Sequence, residues 1–427
     1  MTVYELSNTL SNGGLDKFFS DIYVKSDMEL LRQKARYINA VEKFSRLYPE
    51  REEIYVFSAP GRTEIGGNHT DHQHGCVLAA AVTLDTIAIV SFHDDGVVRV
   101  KSEGHKPDII ELSDLSPHDD EKGHGGAIIR GIIAQFAGIG VKIGGFDAYT
   151  TSDILSGGGL SSSAAFGVLI GTIIDQYYNN GMAGAVEIAK IGRYAENVYF
   201  GKASGAMDQM VTSIGGFTSI DFKDPEMPLI HSVDFDFSSS GYSLCIVDTK
   251  GRHSDLSDDY SEIPNDMRTV AAQLGAEFLR DADEMKFYEN FRRIRERCTD
   301  RAVLRAIHFF DESRRAELES EALENGRLND FFSLVNESGD SSAMLLQNLY
   351  SPKRPECQEL MIGIAISRRY LRGSGAVRVH GGGFAGTIQA FVPKYMEMGY
   401  AAELEHVFGE GSCHILGIRT AGGIRVI

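Results

Sequence analysis

The most informative stretch of the chain is LSGGGLSSSAAF, which runs from Leu155 to Phe166. It follows the strand-like segment FDAYTTSDI (146–154) and leads into small and apolar residues with the length of a helix, Ser162 to Tyr178. A helix start offers unpaired backbone N–H groups and the positive end of the helix dipole, and glycines let an anion approach the backbone. The stretch predicts a phosphate-binding helix start. A serine-capped helix after a plain loop is the alternative.

Two better-known phosphate motifs do not explain this stretch. The chain contains no GxxxxGK[ST] sequence, which excludes a Walker-type loop. GGGFAG (381–386) matches GxGxxG, but the residues after it, TIQAFV, alternate like a strand, whereas a dinucleotide fingerprint must open a helix. We therefore predict that VRVH and TIQAFV form a strand pair around this glycine-rich turn.

Length and charge narrow the class of protein. The chain has 427 residues, and a single core stops growing at about 250–300 residues. We predict two domains, 1–232 and 233–427, divided within the Pro-, Asp- and Ser-rich segment 224–240. A formal net charge of −18 argues against nucleic acid or an anionic membrane as a partner. The five dispersed cysteines, without a CxxC pair or an apolar signal segment, favour a cytoplasmic protein.

The remaining pattern mixes helices and strands. Residues 15–48 are charged and look helical, whereas 79–92 and 96–102 are rich in β-branched residues and predict strands. In the second half, 265–347 predicts charged amphipathic helices, and CHILGIRT (413–420) predicts a closing strand. The expected fold class is α+β.

Two further stretches carry side chains suited to phosphoryl transfer. APGRTEIGGNHTDHQHG (59–75) reads as a short glycine-rich loop with one arginine, two carboxylates and three histidines. ENVYFGKASGAMDQM (196–210) places Glu196 at a helix end and Asp208 after a Gly-Ala turn. An arginine, carboxylates and a phosphate-binding helix start suit transfer from a metal nucleotide. Arg62 as a structural ion pair is the plain alternative.

The histidine-rich loop has a further alternative interpretation. His69, His72 and His74 with Cys76 offer metal-ligating atoms, but their spacing fits no standard zinc pattern. His72 and His74 also suit ordinary loop positions, and Asp71 suits a turn cap. A zinc site therefore stays open as the less favoured prediction.

Three stretches, APGRTEIGGNHTDHQHG (59–75), LSGGGLSSSAAF (155–166) and VRVHGGGFAG (377–386), resemble in this order the three motifs of the GHMP small-molecule kinases. Within that family the chain is most similar to galactokinases. The first motif has Gly-Arg, six residues and His-x-Asp, here Arg62 followed by His69 and Asp71. MDQ (207–209) and HSDLSDDY (253–260) also resemble galactokinase segments. The resemblance implies a two-domain α+β fold, with an N-terminal domain like ribosomal protein S5 domain 2, a ferredoxin-like C-terminal domain and the active site between them.

The resemblance also implies a reaction, cofactors and site residues. The reaction is ATP-dependent phosphorylation of a sugar at its C1 hydroxyl, with galactose as the first candidate and Mg²⁺ as the metal. Asp208 is the implied base, beside Arg62, and the implied magnesium ligands are Ser163 and Glu196. The implied sugar-contacting residues are Asn68, His69, Asp71, Gly205, Asp208 and Tyr260. The implied ATP-binding residues are Gly157, Gly158, Gly159, Leu160, Ser161, Ser162 and Ser163. We expect a monomer or weak dimer.

The chain departs from the galactokinase pattern at three positions. Asn68 stands where galactokinases usually carry Glu, and Glu64 stands where they usually carry Asn. Ser204-Gly205 replaces the usual Cys-Gly and is closer to mevalonate kinases. A kinase for galacturonate, arabinose or N-acetylgalactosamine therefore stays open. HTDH and MDQ disfavour a mevalonate-type kinase, and the intact SSSAA and Asp208 disfavour a non-catalytic sensor of sugar and nucleotide.

Overall fold

The computed structural model describes residues 1–24, 26–155, 159–202, 204–251 and 256–427. In these residues the helices are α1 Val3–Ser11, α2 Asp16–Ile22, α3 Asp27–Leu47, α4 Gly125–Gly138, α5 Ser162–Tyr178, α6 Gly184–Tyr194, α7 Met207–Ile214, α8 Ser257–Gln273, α9 Glu284–Glu289, α10 Phe291–Arg295, α11 Asp300–Glu324, α12 Leu328–Ser341, α13 Glu359–Leu371 and α14 Glu397–Phe408. The strands are β1 Tyr55–Gly66, β2 Cys76–Phe92, β3 Val97–Ser102, β4 Asp108–Glu111, β5 Phe146–Ser152, β6 Phe217–Asp221, β7 Leu229–Val233, β8 Tyr242–Asp248, β9 Ala376–His380, β10 Thr387–Pro393, β11 Cys413–Leu416 and β12 Ile424–Arg425.

The larger sheet is built around β2, the longest strand. Its path runs β12-β1-β2-β5-β3-β4, and β6 and β7 branch from β2. The first part of β2 pairs with β6 and its last part pairs with β5, while β1 pairs along most of its length. One strand therefore positions the chain before the α5 helix and the loop that joins β1 to β2.

Helices cover both faces of the larger sheet. On one face, α4, α5 and α6 bury Ile128, Leu169 and Ile188 against β-strand residues such as Val90 and Ala148. The α5 helix is apolar on nearly every side and is almost completely buried, as its composition predicts. On the other face, α1, α2 and α3 pack on the sheet. The body of α5, from Ala164 onward, is therefore packed against the sheet, whereas its first residues are more exposed.

The smaller sheet has the order β11-β8-β10-β9 and is antiparallel throughout. β9 and β10 form the hairpin that the sequence predicts, with residues 381–386 as its turn, which excludes the dinucleotide fingerprint. The two sheets share an apolar cluster that contains Ile65 and Leu160 from the first half and Phe331 and Phe391 from the second. The mixed α and β content and the two sheets confirm the α+β class.

The change from one sheet to the other lies between β7 and β8, inside the predicted boundary segment 224–240. The division at 232/233 stays a prediction. The chain, however, returns to the larger sheet at its end, because β12 pairs with β1 through Phe57–Arg425 and Ser58–Ile424. No helix within the described ranges has both the length and the apolarity that a membrane crossing requires.

Two local predictions need correction. The helical character expected over 15–48 is divided between two helices, α2 and α3, because the backbone is extended at Tyr23 and at Ser26. Arg62 and Glu64 do not lie in a loop, because β1 continues to Gly66 with register shifts after Pro60 and Glu64. The irregularities keep the strand paired with β2 while they change the direction in which its side chains point.

A buried ionic network joins the N-terminal helices, the larger sheet and the C-terminal segment. The carboxylate of Asp85 on β2 accepts hydrogen bonds from Arg36 of α3 at 2.6 Å, Tyr23 at 2.6 Å and Arg419 at 3.0 Å. The Ser58 hydroxyl on β1 also donates to it. Burial alone would raise the pKa of Asp85, but Arg36 and Arg419 hold this pKa below the usual aspartate value. The negative charge of Asp85 therefore balances the positive charges of Arg36 and Arg419 in this network.

We predict that Asp85→Asn destabilises the protein by about 3–5 kcal/mol, because it leaves the Arg36 and Arg419 charges uncompensated in the interior. The measurement is the midpoint of urea unfolding near neutral pH. Asp95→Asn is the control, since Asp95 is half exposed in its pair with Arg51 and its loss should shift the midpoint far less than Asp85→Asn. Equal midpoints for the two variants would contradict the assigned role of Asp85.

Candidate functional site

The site is centred on an ion pair between β1 and the start of α7. Arg62 Nε donates to Asp208 Oδ1 at 2.8 Å, and Arg62 Nη1 donates to the carbonyl of Gly159. The Ser161 hydroxyl donates to the second oxygen of Asp208. Burial would raise the pKa of Asp208, but the charge and hydrogen bond of Arg62, aided by Ser161, hold the pKa below the ordinary aspartate value. Asp208 is therefore ionised at neutral pH.

The start of α5 is free of a conventional side-chain cap. Ser161 occupies the N-cap position with a positive φ of 55° and makes no capping hydrogen bond. Its hydroxyl is directed to Asp208 instead, so it does not satisfy the first N–H groups of the helix. The alternative prediction, a serine-capped helix, is therefore wrong for Ser161. An anion is the natural partner for such a helix start.

A buried carboxylate lies beside the same helix start. Glu196, in the helical turn that follows α6, accepts a hydrogen bond from Ser163 at 2.7 Å. It also accepts from Lys202 at 3.0 Å, from Ser204 at 2.8 Å and from Gln209. The two residues predicted to hold magnesium are thus in direct contact. Their carboxylate and hydroxyl oxygens are the hard donors that Mg²⁺ prefers.

The loop that joins β1 to β2, residues 67–75, carries Asn68 in a position that the sequence did not predict. Asn68 is 0% exposed. Its Nδ2 donates to Glu64 Oε1 and to the Gly381 carbonyl, both at 2.8 Å, and its Oδ1 accepts from Asn348 at 2.9 Å. In this structure the Asn68 amide joins the loop to β1 and to the 381–386 turn, and it is out of reach of solvent.

Glu64 is the other residue of the β1–β2 region that departs from the galactokinase pattern, and it is a hydrogen-bond partner of Asn68. Its Oε1 accepts from Asn68 and from Arg378 Nη2, the latter at 3.0 Å. Burial raises the pKa of Glu64, and Arg378 and Asn68 act against this shift. The carboxylate expected at position 68 and the amide expected at position 64 have therefore changed places across one hydrogen bond.

Two residues of α11 hold the backbone of the β1–β2 loop, and sequence reasoning missed both. Glu312 Oε1 accepts from the backbone N–H of Gly67 at 3.1 Å and of Asn68 at 3.3 Å. His308, one turn earlier, donates from Nε2 to the Asn68 carbonyl at 2.9 Å. Burial lowers the pKa of His308, so its imidazole is neutral and carries its proton on Nε2. The spacing of four residues between His308 and Glu312, which places both on one face of a helix, was the sequence signal that could have identified them.

The 381–386 turn supports the site through its carbonyl groups. His69 Nε2 donates to the Gly382 carbonyl at 2.9 Å, and the Tyr260 hydroxyl donates to the Gly383 carbonyl at 2.9 Å. The Tyr260 ring also packs edge-on against Phe384. Burial lowers the pKa of His69 to about 4, so this imidazole is neutral at physiological pH. The structure places Tyr260 in the first turn of α8, packed against the 381–386 turn.

Asp71 and Gly205 face each other near the ion pair. A Cβ atom added to Gly205 would lie 2.8 Å from Asp71 Oδ2, so only glycine leaves this carboxylate its space. Burial raises the pKa of Asp71, and the charge of Asp208 contributes to the same shift. The two aspartates therefore belong to one electrostatic site. Arg62 offsets their combined charge.

Most of the predicted site residues come together, and some lie outside the described residues. Gly157 and Gly158 are in the latter group, as is His253 of the HSDLSDDY segment. The loop histidines face different partners, since His74 stacks on Phe278 with ring centroids 3.8 Å apart. Over the described ranges, the single group of three close metal-ligating side chains is Cys76, Asp221 and Glu317. Arg280 bonds to Asp221 at 2.6 Å and contacts Cys76, so a cation already occupies that group.

Comparison with known proteins agrees with this geometry. The galactokinase galactose-binding signature matches residues 42–92, and the GHMP kinase N-terminal domain matches residues 127–216. A galactokinase from Streptomyces coelicolor is 31% identical over 350 residues, which cover 81% of this chain and 86% of that protein. The chain belongs to the galactokinase family. This membership confirms the resemblance that the three glycine-rich motifs indicate.

Solved structures show the same fold. Galactokinase from Lactococcus lactis, in complex with galactose, superposes with a TM-score of 0.76 at 23% identity and covers 90% of this chain and 98% of its own. Mevalonate kinase from Methanococcus jannaschii superposes with a TM-score of 0.62 at 16% identity, with 86% and 98% covered. The two-domain GHMP fold expected from the sequence is confirmed.

We predict that Asn68→Glu destabilises the protein by about 3 kcal/mol, because it buries a second carboxylate against Glu64. The double variant Glu64→Asn/Asn68→Glu restores one carboxylate and one amide and should recover more than half of that loss. Unfolding midpoints of the single and double variants give the coupling energy. Asn39→Glu on the exposed face of α3 is the control and should change stability by less than about 0.5 kcal/mol. If the change in unfolding free energy of the double variant equals the sum of the two single-variant changes, Glu64 and Asn68 are not coupled, and the exchange of carboxylate and amide between these positions is contradicted.

Proposed function

We propose that this chain is a galactokinase that transfers the γ-phosphoryl group of ATP to the C1 hydroxyl of galactose. The observation that carries the proposal is the Arg62–Asp208 ion pair, which lies at the uncapped start of α5. Its ionised carboxylate can accept a proton beside backbone groups suited to phosphate. The family signature over residues 42–92 and the galactose complex of the Lactococcus lactis relative support galactose as the sugar.

In the proposed reaction Asp208 takes the proton of the C1 hydroxyl as that oxygen bonds to the γ-phosphorus. The bond from the γ-phosphorus to the β–γ bridging oxygen breaks, and ADP leaves. Arg62 keeps Asp208 ionised before the step and offsets the negative charge on the transferred group. The described part of the phosphate-binding segment, residues 159–163, supplies N–H and hydroxyl groups to the triphosphate, together with the proposed Gly157 and Gly158.

Magnesium fits the residues beside the start of α5. Ser163 and Glu196 already contact each other, and Lys202, half exposed, shares the Glu196 carboxylate. A bound cation would supply the positive charge that the Lys202 ammonium gives to the buried Glu196 carboxylate. When bound, Mg²⁺ offsets charge on the nucleotide phosphates. Ser163 and Glu196 are therefore the proposed ligands.

For the sugar, we propose contacts from His69, Asp71, Gly205 and Asp208. Asn68 and Tyr260, also implied by the family resemblance, act on the sugar site through the position of the β1–β2 loop and the 381–386 turn. Sugar hydroxyl groups need fixed donors and acceptors once they leave water. The cytoplasmic location and the monomeric or weakly dimeric state stay predictions.

We predict that Asp208→Asn lowers kcat by about 10²–10⁴ while galactose still binds, because the amide keeps the shape and loses the proton acceptor. The measurement is ADP release in a coupled assay with magnesium ATP, combined with calorimetric titration of galactose. Asp119→Asn, on an exposed turn, is the control and should leave kcat unchanged.

The same assay on the wild type separates the alternative sugars. Galactose should give the highest kcat/KM in a panel with galacturonate, arabinose, N-acetylgalactosamine, glucose and mevalonate. A higher value for another sugar would replace galactose as the substrate. A chain that binds sugar and ATP but releases no ADP would be a sensor instead of a kinase.

We predict that Ser163→Ala and Glu196→Gln raise the Mg²⁺ concentration needed for half-maximal rate by about tenfold, since each removes one hard oxygen ligand. The measurement is a Mg²⁺ titration at saturating ATP. Ser162→Ala, the neighbouring hydroxyl, is the comparison and should shift the Mg²⁺ requirement less than Ser163→Ala. If both serine variants shift it equally, Ser163 is not the ligand.

A further inference from the structure

The N-terminal helix α3 reaches the chain just before the phosphate-binding segment. Arg32 Nη2 lies 2.9 Å from Asp153 Oδ2, and Arg36 Nη1 lies 3.3 Å from the same oxygen. Arg36 Nη2 also donates to the Thr151 carbonyl at 3.2 Å. Thr151 lies at the end of β5, and Asp153 precedes Gly159 by only six positions. Two cations of one helix therefore hold the end of this strand.

The orientation of these arginines is set within α3. Glu29 accepts two hydrogen bonds from Arg32, from Nε and Nη2, both at 2.7 Å. Gln33 accepts from Arg36 Nη1 at 3.2 Å. A paired, planar guanidinium loses little further conformational freedom when it binds a carboxylate. The α3 face is thus organised in advance for Asp153.

Asp153 is also fixed to the larger sheet. Its Oδ1 accepts from the backbone N–H of Asp85 at 2.9 Å, and its own N–H donates to the Asp85 carbonyl at 3.1 Å. The next residue, Ile154, is buried and lies where a side chain on Gly61 would contact it. The direction in which the chain leaves β5 is therefore determined on three sides.

The far end of the same segment is held by Arg62. The Arg62 side chain donates to the Gly159 carbonyl, and the Arg62 backbone N–H donates to the Leu160 carbonyl at 3.2 Å. Asp153 at one end of this segment, and Gly159 with Leu160 at the other, are thus held by two different elements. One is β1, which carries the ion pair of the site, and the other is α3, which the proposed reaction does not use.

We propose that Arg32 and Arg36 are positioning residues for nucleotide binding, which act through Asp153 on the approach to the phosphate-binding segment. The proposal rests on the proposed function in one respect, the assignment of the nucleotide to the start of α5. It gives the N-terminal helices a role in ATP affinity that is separate from sugar affinity, because the galactose-side residues lie on the β1–β2 loop and α7.

A role in stability alone does not account for the Arg32 contact. The Arg32 side chain is 45% exposed and that of Asp153 is 17% exposed, and exposed ion pairs contribute little to folding. The deeply buried Asp85 network already attaches α3 to the sheet through Arg36. Arg32 adds a contact at the place where β5 ends and the chain continues into the phosphate-binding segment.

The test compares Arg32→Ala and Asp153→Asn with the wild-type enzyme. Asparagine keeps an oxygen for the Asp85 N–H and removes the charge that both arginines share. We expect the Kd of magnesium-bound AMP-PNP, a nonhydrolysable ATP analogue, and the KM for ATP to rise by about fivefold for Arg32→Ala and about tenfold for Asp153→Asn. The KM for galactose should change by less than about twofold, and Arg32→Lys should recover part of the loss.

Arg46→Ala is the matched control, because Arg46 lies on the same helix, is exposed and pairs with Glu42. It should change neither affinity. Melting temperatures of all variants separate positioning from unfolding, since a structural role would lower the melting temperature without a split between the two substrates. Equal shifts for ATP and galactose, or an unchanged Kd for the analogue, would overturn the proposal. A wild-type chain that binds no nucleotide would instead overturn the proposed function.

Discussion

The contact on which the site depends is the one between Arg62 and Asp208. It brings together three segments that are distant in sequence, because Arg62 on β1 also donates to the Gly159 carbonyl ahead of α5. A carboxylate as shielded as Asp208 would tend to stay protonated, and an arginine is the residue that keeps it ionised without itself losing a proton. Position and charge state are thus set by the same side chain. Asp71, which faces Gly205 nearby, also benefits from that positive charge.

Around this pair, the two halves of the protein hold different parts of the site. The first half supplies the start of α5 and the ion pair, whereas α11 and the 381–386 turn of the second half hold the β1–β2 loop through Glu312, His308 and backbone carbonyls. The two sheets also share an apolar core. A shift of α11 relative to the larger sheet would therefore displace His69 and Asp71 on the β1–β2 loop while it left Arg62 and Asp208 in place.

The sequence predicted the elements whose local pattern is strong. The α5 helix has the predicted limits, Ser162 to Tyr178, because every turn is apolar and the glycines and serines mark its start. The 381–386 turn was predicted from strand alternation on both sides. The extent of β1 was not, because the register shifts near Pro60 and Glu64 interrupt the alternation that would have shown Arg62 on a strand. His308 and Glu312 were missed because charged residues four apart usually mark a solvated helix face.

The charged groups buried around Asn68 explain why this position carries an amide where galactokinases usually carry a carboxylate. Glu312 is fully buried beside His308, Arg315 and Arg378, and these groups lower its pKa to about 2 against the effect of burial. Glu319 is also fully buried, and burial together with the charge of Glu312 raises its pKa well above the usual glutamate value.

Glu319 lies where a side chain on Gly66 would have to stand. The interior around the loop thus already contains the carboxyl groups of Glu312 and Glu319, with Glu64 paired to Arg378. A further carboxylate at position 68 would have no cation of its own, whereas an amide donates to Glu64 and accepts from Asn348. Since the two residues share one hydrogen bond, moving the carboxylate to position 64 places it against Arg378 and leaves the pair intact.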